Sequence, residues 1–191
     1  MPSEIQPKPT PRIAPLPAPY PPEIQAHFDQ IMPPGAPPLV LFTTLARGPR
    51  AWRKFRAGSL LDGRVLSLRQ RELVIDRACA LAGCEYEWGV HVTAFAAAAR
   101  LTETEIAATA APTLDPTAWP PAEAALLAAV DALHTHARLT DAQFTALAAH
   151  FDPDQILEIL LLCGFYRTVA YVAGGLDLPL EPGAARFGDF G

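Results

Sequence analysis

The side chains able to do chemistry gather between Glu72 and His91. If a helix begins near Cys84, then Cys84, Glu87 and His91 fall at i, i+3 and i+7 and share one stripe of its surface. Glu72 lies on the preceding helical segment, and Gly83 supplies an elbow that folds this segment back against the stripe. Such a set suits proton transfer. Glu87 and His91, at i and i+4, can exchange a hydrogen bond that raises the imidazole pKa, and Glu72 adds a second carboxylate. A thiol in a first helical turn feels exposed N–H groups and the positive end of the helix dipole, which favour thiolate. Glu85 and Glu87 oppose that effect, so modest activation is expected for Cys84.

Plainer roles exist for each residue. Acidic residues in a first turn complement the dipole, and an exposed Glu87–His91 pair would stabilise its helix by about 0.2–0.5 kcal/mol. Cys84 can be a small buried hydrophobe, as Cys79 and Cys163 are expected to be, and Glu72 can pair with Arg69 or Arg77. The common register of the four residues is what raises the functional case.

Positioning them requires helices, and the pattern supplies them. Ser67-Leu-Arg-Gln70 is a capping box opening a helix with Leu68, Glu72, Ile75 and Cys79 along one inward face. After Gly83 a second helix is expected over 86–100, where Ala96 to Ala99 would let another helix approach closely. Thr102-Glu-Thr-Glu105, Thr140-Asp-Ala-Gln143 and Asp152-Pro153 start further helices, with another from Pro121. The apolar run from Ile156 to Ala173 carries Glu158 and Arg167 and therefore reads as a buried core helix, ending at Gly174-Gly175, rather than a membrane span. Upstream, a short helix is expected from Pro22 to Met32, and two more between Pro38 and Leu60, separated by Gly48-Pro49. No segment reads as a strand.

Thirteen of the twenty-one prolines fall within residues 1–38 and make that stretch an extended arm. Ile5, Ile13, Leu16 and Tyr20 are spaced to pin it to its own domain or a neighbouring subunit; with no surface to lie on it would be disordered. The expected organisation is an arm over 1–37, one helical domain over 38–175 and an irregular tail over 176–191. Fifteen basic against twenty acidic residues, with no basic cluster, argue against nucleic acid. Three cysteines without framework spacing argue for a reducing, cytoplasmic setting, and the proline-broken N-terminus does not read as a signal peptide.

The span from Leu66 to about Ile106 resembles the carboxymuconolactone decarboxylase family, which shares its fold with the alkylhydroperoxidase-D-like proteins. Arg71-Glu72-Leu73, Cys84-Glu-Tyr-Glu87-Trp88 and His91 carry the resemblance. It implies an all-α helical bundle, homo-oligomers and a small-molecule substrate, with no cofactor. The peroxidase branch places a glutamate twelve residues before the first cysteine of a CxxC, and a histidine four after the second. Glu72, Cys84, Glu87 and His91 keep those spacings, but Glu87 stands where the peroxide-attacking cysteine would be. An intramolecular dithiol cycle at this site is thereby excluded; Cys163 would have to approach Cys84 to restore one.

The expectation is a decarboxylase-like enzyme for a small carboxylated, possibly lactone, substrate, with Glu72, Glu87 and His91 moving protons and Cys84 in the pocket. Loss of carbon dioxide leaves a carbanion or dienolate that needs a proton donor and a grip on the substrate carboxylate. Arg77 and Arg167 are the candidates for that grip, although Arg167 is expected first to form a buried ion pair with Asp177 or Glu158. Tyr86, Trp88 and Phe95 can line an apolar pocket, with core packing ranked first. A metal site built from Glu72, Glu87 and His91 lacks paired-His spacing, and His134, His136 and His150 receive no catalytic role. The alternatives are a one-cysteine peroxidase acting through Cys84 and a non-catalytic oligomeric binding protein.

Overall fold

Helix starts are written into this chain by side chains that satisfy orphan backbone donors. Ser67, Thr102, Thr140 and Asp152 each accept from the backbone N–H three residues on, and Gln70, Glu105, Gln143 and Gln155 reach back to the cap residue's own N–H. Each such cap is worth about 1 kcal/mol. Proline in the first turn serves the same end elsewhere, since its missing N–H costs nothing there. In a computed structural model describing residues 11–63 and 65–190, the helices are α1 (Pro22–Ile31), α2 (Val40–Leu45), α3 (Pro49–Gly58), α4 (Leu68–Leu81), α5 (Glu85–Phe95), α6 (Glu103–Ala110), α7 (Pro121–His136), α8 (Asp141–Ala148) and α9 (Pro153–Leu176). Among the described residues there is no strand.

Helix α4 lies at the centre, packed by α5, α6, α7 and α9. It buries eight consecutive residues, Glu72 through Cys79, so it has no solvent face along that stretch. The elbow after it closes as a helix-ending turn: Gly83 takes φ +66°, and the Cys84 N–H donates to the Cys79 carbonyl at 2.9 Å. That reversal lays α5 against α4. Arg69 ties α4 to α6 and α7 by pairing with Glu105 and, at 2.7 Å, with Glu123. The Arg69 hydrogen bonds hold the Glu105 carboxyl down at about 2.

Three segments differ from the sequence expectation. Helix α5 stops at Phe95, and the small residues that follow form turns closing on Arg100 at φ +57°. Helix α9 continues to Leu176 and is only half a core helix. Ile156, Ile159, Leu162, Tyr166 and Val169 are buried, whereas Leu157, Leu161 and Tyr171 are exposed. Among the described residues α9 is the one helix long and apolar enough to cross a membrane by length and composition. The tail, expected to be irregular, docks: Leu178 is buried, Phe187–Phe190 forms a 3-10 turn, and Tyr86 donates its O–H to Glu181.

The described part of the arm lies on its own domain. The Arg12 N–H and guanidinium bond the carbonyls of Leu176 and Gly175, and the Leu16 N–H bonds Thr43. Leu16 and Tyr20 pack on a small second core of Phe28, Ala46 and Trp52, while Ile13 is exposed. Ile5, with the rest of 1–10, lies outside the described residues.

Close approach fixes one glycine. A Cβ at Gly89 on α5 would collide with the Ala185 carbonyl of the docked tail. Alanine in a helix interior ordinarily stabilises by about 0.5–1 kcal/mol relative to glycine. Here Gly89→Ala is expected to lower stability by about 1–3 kcal/mol, the usual scale of overpacking, read as a fall in Tm. A rise would show that the tail does not press on α5.

Candidate active site

Burial determines what Glu72 must do. It is 1% exposed, and a carboxylate so placed requires partners. It has two: Arg71 donates from Nε to Oε1 at 2.8 Å, and His91 donates from Nδ1 to Oε2 at 2.7 Å. The antiparallel lie of α4 and α5 sets His91 opposite Glu72. On its other side, His91 Nε2 is 3.1 Å from the Tyr166 hydroxyl and 3.5 Å from Glu87 Oε1. The main partner of the imidazole is therefore Glu72, across the helix pair, rather than Glu87 on its own helix.

Opposing influences act on His91. Burial lowers its pKa, and the hydrogen bonds and charges of Glu72 and Glu87 outweigh burial, holding the imidazole at about 10. At neutral pH it is an imidazolium donating from both nitrogens. The Tyr166 hydroxyl is pushed well up by burial, with Glu87 adding to the effect, so it stays protonated.

These groups close one end of a cavity of about 570 Å³ between α3, α5, α9, the segment leading into α2, and the tail. Phe42, Phe55, Phe95 and Phe165 are among its apolar lining residues, and Glu87, His91, Tyr166, Ser59, Thr93 and Glu181 are its polar ones. Glu87 lines the cavity and is 5% exposed; its Oε2 is fully buried and has no hydrogen-bond partner among the described residues, so the packing around it leaves this carboxyl unsatisfied.

Cys84 departs from expectation. Its burial pushes the thiol up to about 11, outweighing the Glu87 backbone N–H that lowers it, and it does not line the cavity. The dipole argument fails because Cys84 is the N-cap residue and is desolvated there, 7% exposed. Cys79 is likewise pushed well up by burial.

Both arginines proposed for the substrate carboxylate are engaged elsewhere. Arg77, 1% exposed, forms a two-pronged pair with Asp131 at 2.7 and 3.0 Å and donates to the carbonyls of Thr109 and Ala111. It joins α4 to α7 and the end of α6. Arg167 meets neither Asp177 nor Glu158; it donates to His134 Nδ1 at 2.7 Å and to the Tyr171 hydroxyl at 2.9 Å. Tyr86 and Trp88 are core residues, the indole bonding Thr109 at 3.0 Å and packing on Phe187. Of the aromatic residues expected to line the pocket, Phe95 does so.

Sequence reasoning missed two members of this region. Tyr166 sits in the apolar run of α9, where nothing in the periodicity marks one side chain as reaching His91. Asp76 follows Glu72 by one turn; it is 1% exposed with neither oxygen hydrogen-bonded, and burial pushes its carboxyl well up, toward the neutral acid. Its spacing from Glu72 was a legible signal. Among the described residues no group of three or more His, Cys, Asp or Glu side chains is arranged to hold a metal ion.

The all-α bundle has an alkylhydroperoxidase-D-like fold, as comparison with known structures shows. A peroxidase-related protein from Silicibacter sp. TM1040 superposes with a TM-score of 0.74 at 20% identity, covering 98% of this chain and 100% of its own. A Ralstonia eutropha JMP134 protein described as an alkylhydroperoxidase AhpD core, peroxidase-related, gives 0.69 at 18% identity, covering 91% and 94%. An Agrobacterium tumefaciens protein of unknown function, linked by its description to AhpD antioxidant defence, gives 0.62 at 26% identity, covering 71% and 94%. No curated protein matches the chain. Residues 47–131, which carry α4, α5 and α6, match the model of the carboxymuconolactone decarboxylase family.

The raised imidazole makes a stability prediction. A histidine whose folded pKa lies above its ordinary 6.5 contributes stability that is full below that value and lost as pH rises through about 10. Denaturant melts of the parent should therefore weaken between about pH 6.5 and 10, and His91→Gln should flatten that part of the profile. An unchanged slope in His91→Gln would place the titration elsewhere.

Proposed function

We propose that this protein is an acid/base enzyme of the decarboxylase type, acting on a small carboxylated substrate with an apolar body. The observation that carries the reading is Glu87: a nearly buried carboxyl lining the cavity, its Oε1 3.5 Å from a histidine held as imidazolium and its Oε2 without a partner among the described residues. When the substrate's carbon–carboxylate bond breaks, carbon dioxide leaves and the electron pair passes into the conjugated carbonyl as a dienolate. His91 delivers a proton from Nε2 to carbon, with Glu87 or the Tyr166 hydroxyl beside it to shuttle. Glu72 steadies the imidazole in one orientation and supports its charge. The chemistry consumes one proton and needs no oxidant.

His91 also faces the cavity as a cation, taking the part expected of Arg77 and Arg167. The phenylalanine wall supports an apolar substrate body, and an apolar surround favours conversion of a charged carboxylate into neutral carbon dioxide. Three free thiols, Cys79, Cys84 and Cys163, support a cytoplasmic setting, and the exposed Leu157 and Leu161 on α9 support self-association.

A second reading, a one-cysteine peroxidase, draws on the peroxidase-related descriptions of two structural neighbours. A thiol pushed up to about 11 and set away from the cavity counts against it.

A screen of lactone acids and organic hydroperoxides, reading carbon dioxide release and peroxide consumption, separates the two. Glu87→Gln and His91→Ala should each cut carbon dioxide release by about 10²–10⁴-fold with the fold intact, while Cys84→Ser keeps most of it. Peroxide consumption that vanishes in Cys84→Ser would establish the peroxidase instead.

A further inference from the structure

A second cavity, of about 380 Å³, lies between α7 and α9 against Ala78 of α4 and shares no lining residue with the Glu87–His91 cavity. Its walls include Val130, Leu133 and Leu160, and its polar groups are His134, Arg167 and Tyr171. Among the described residues no aspartate or glutamate lines it. Arg167 is thus a cation on an apolar helix whose partners among the described residues are both neutral: the His134 imidazole and the Tyr171 hydroxyl.

The hydrogen-bond directions give the pocket its polarity. A guanidinium only donates, so His134 Nδ1 accepts and the neutral ring carries its proton on Nε2. Burial and the Arg167 charge both lower the His134 pKa, which keeps the ring neutral. Tyr171 accepts from Arg167 Nε, which leaves its own O–H free to donate. Asp131, the nearest acid on α7, is engaged by Arg77 through both oxygens. The pocket therefore offers donors and one positive charge within an apolar wall, and its volume falls in the range of small-ligand sites.

We propose that this pocket binds a small monocarboxylate with an apolar body, the carboxylate accepting from Arg167 Nη2, which has no partner among the described residues, and the body lying against Leu133 and Leu160. This site is separate from the proposed catalytic cavity and stands whether or not the protein is a decarboxylase. A planar fork matching a carboxylate is the geometry arginine supplies best.

Calorimetric titration of the full chain with benzoate, and in parallel with benzamide, tests the assignment. Benzoate should bind, and benzamide, which has the same body without the charge, should bind at least about tenfold more weakly. In a His91→Gln background, which removes the cation of the Glu87–His91 cavity, benzoate should still bind, and adding Arg167→Gln should weaken it by a similar factor. In the same background His134→Glu, which sets a carboxylate beside Arg167 from within, should raise Tm and abolish benzoate binding. Equal binding of benzamide, or benzoate binding retained in that background on adding Arg167→Gln or His134→Glu, overturns the proposal. Loss of binding in His91→Gln also overturns it, because the anion then lies in the other cavity. So does a protein that ignores benzoate but self-associates through Arg167, since an acid of a second copy would then answer the cation.

Discussion

A helix stretch buried all round cannot carry charge without arranging partners for it, and the buried stretch of α4 carries two carboxyls and a guanidinium. Glu72, Asp76 and Arg77 are each 1% exposed. The three are accommodated in three ways. Arg77 is met by Asp131 and two carbonyls, which draws α7 and the end of α6 onto α4. Glu72 is met by Arg71 and His91, which sets α5 in register. Asp76 finds no hydrogen-bond partner among the described residues, and burial pushes it toward the neutral acid, the less costly form there. The bundle is arranged around these requirements as much as around its leucines.

The Glu72–His91 pair connects this structural demand to chemistry. Taking the carboxylate out of water makes its attraction for the imidazole strong enough to reverse the desolvation that would otherwise discharge the ring. The same dryness has the opposite effect on Cys84, whose thiol has no cation beside it and is held protonated. One environment thus favours a proton donor at His91 and suppresses a nucleophile seven residues earlier. With Glu87 lining the cavity and Cys84 set away from it, both observations support the proposed proton transfer.

The periphery completes the cavity rather than decorating it. Segment 31–39, α3 and the tail all contribute lining residues, and the tail is held by Glu181 against Tyr86 and the Val40 N–H. A core aromatic on α5 thereby anchors the segment that closes the cavity. Trp88 behaves likewise, buried against Phe187 and Phe190. On the outer side, α9 keeps Leu157, Leu161 and Tyr171 in solvent, beside the pocket that contains Arg167.

Local signals were legible in the sequence because they act over a few residues. Capping boxes at Ser67, Thr102, Thr140 and Asp152, the Gly83 elbow and the first-turn prolines are short-range matters of donors, acceptors and dihedral angles, and they yielded nearly every helix start. The spacing of Glu72, Glu87 and His91 was legible for the same reason: helical periodicity and a tight reversal suffice to bring them together. The rest turned on which long-range neighbour each side chain met. Whether Arg77 would face a substrate or Asp131, Arg167 an acid or His134, and Cys84 water or core depended on how helices far apart in sequence pack, and so did the arrival of Tyr166 at His91. Register along one helix follows from its own residues; burial, and with it the protonation state of a thiol or an imidazole, belongs to the tertiary structure, because desolvation is set by everything that surrounds the group.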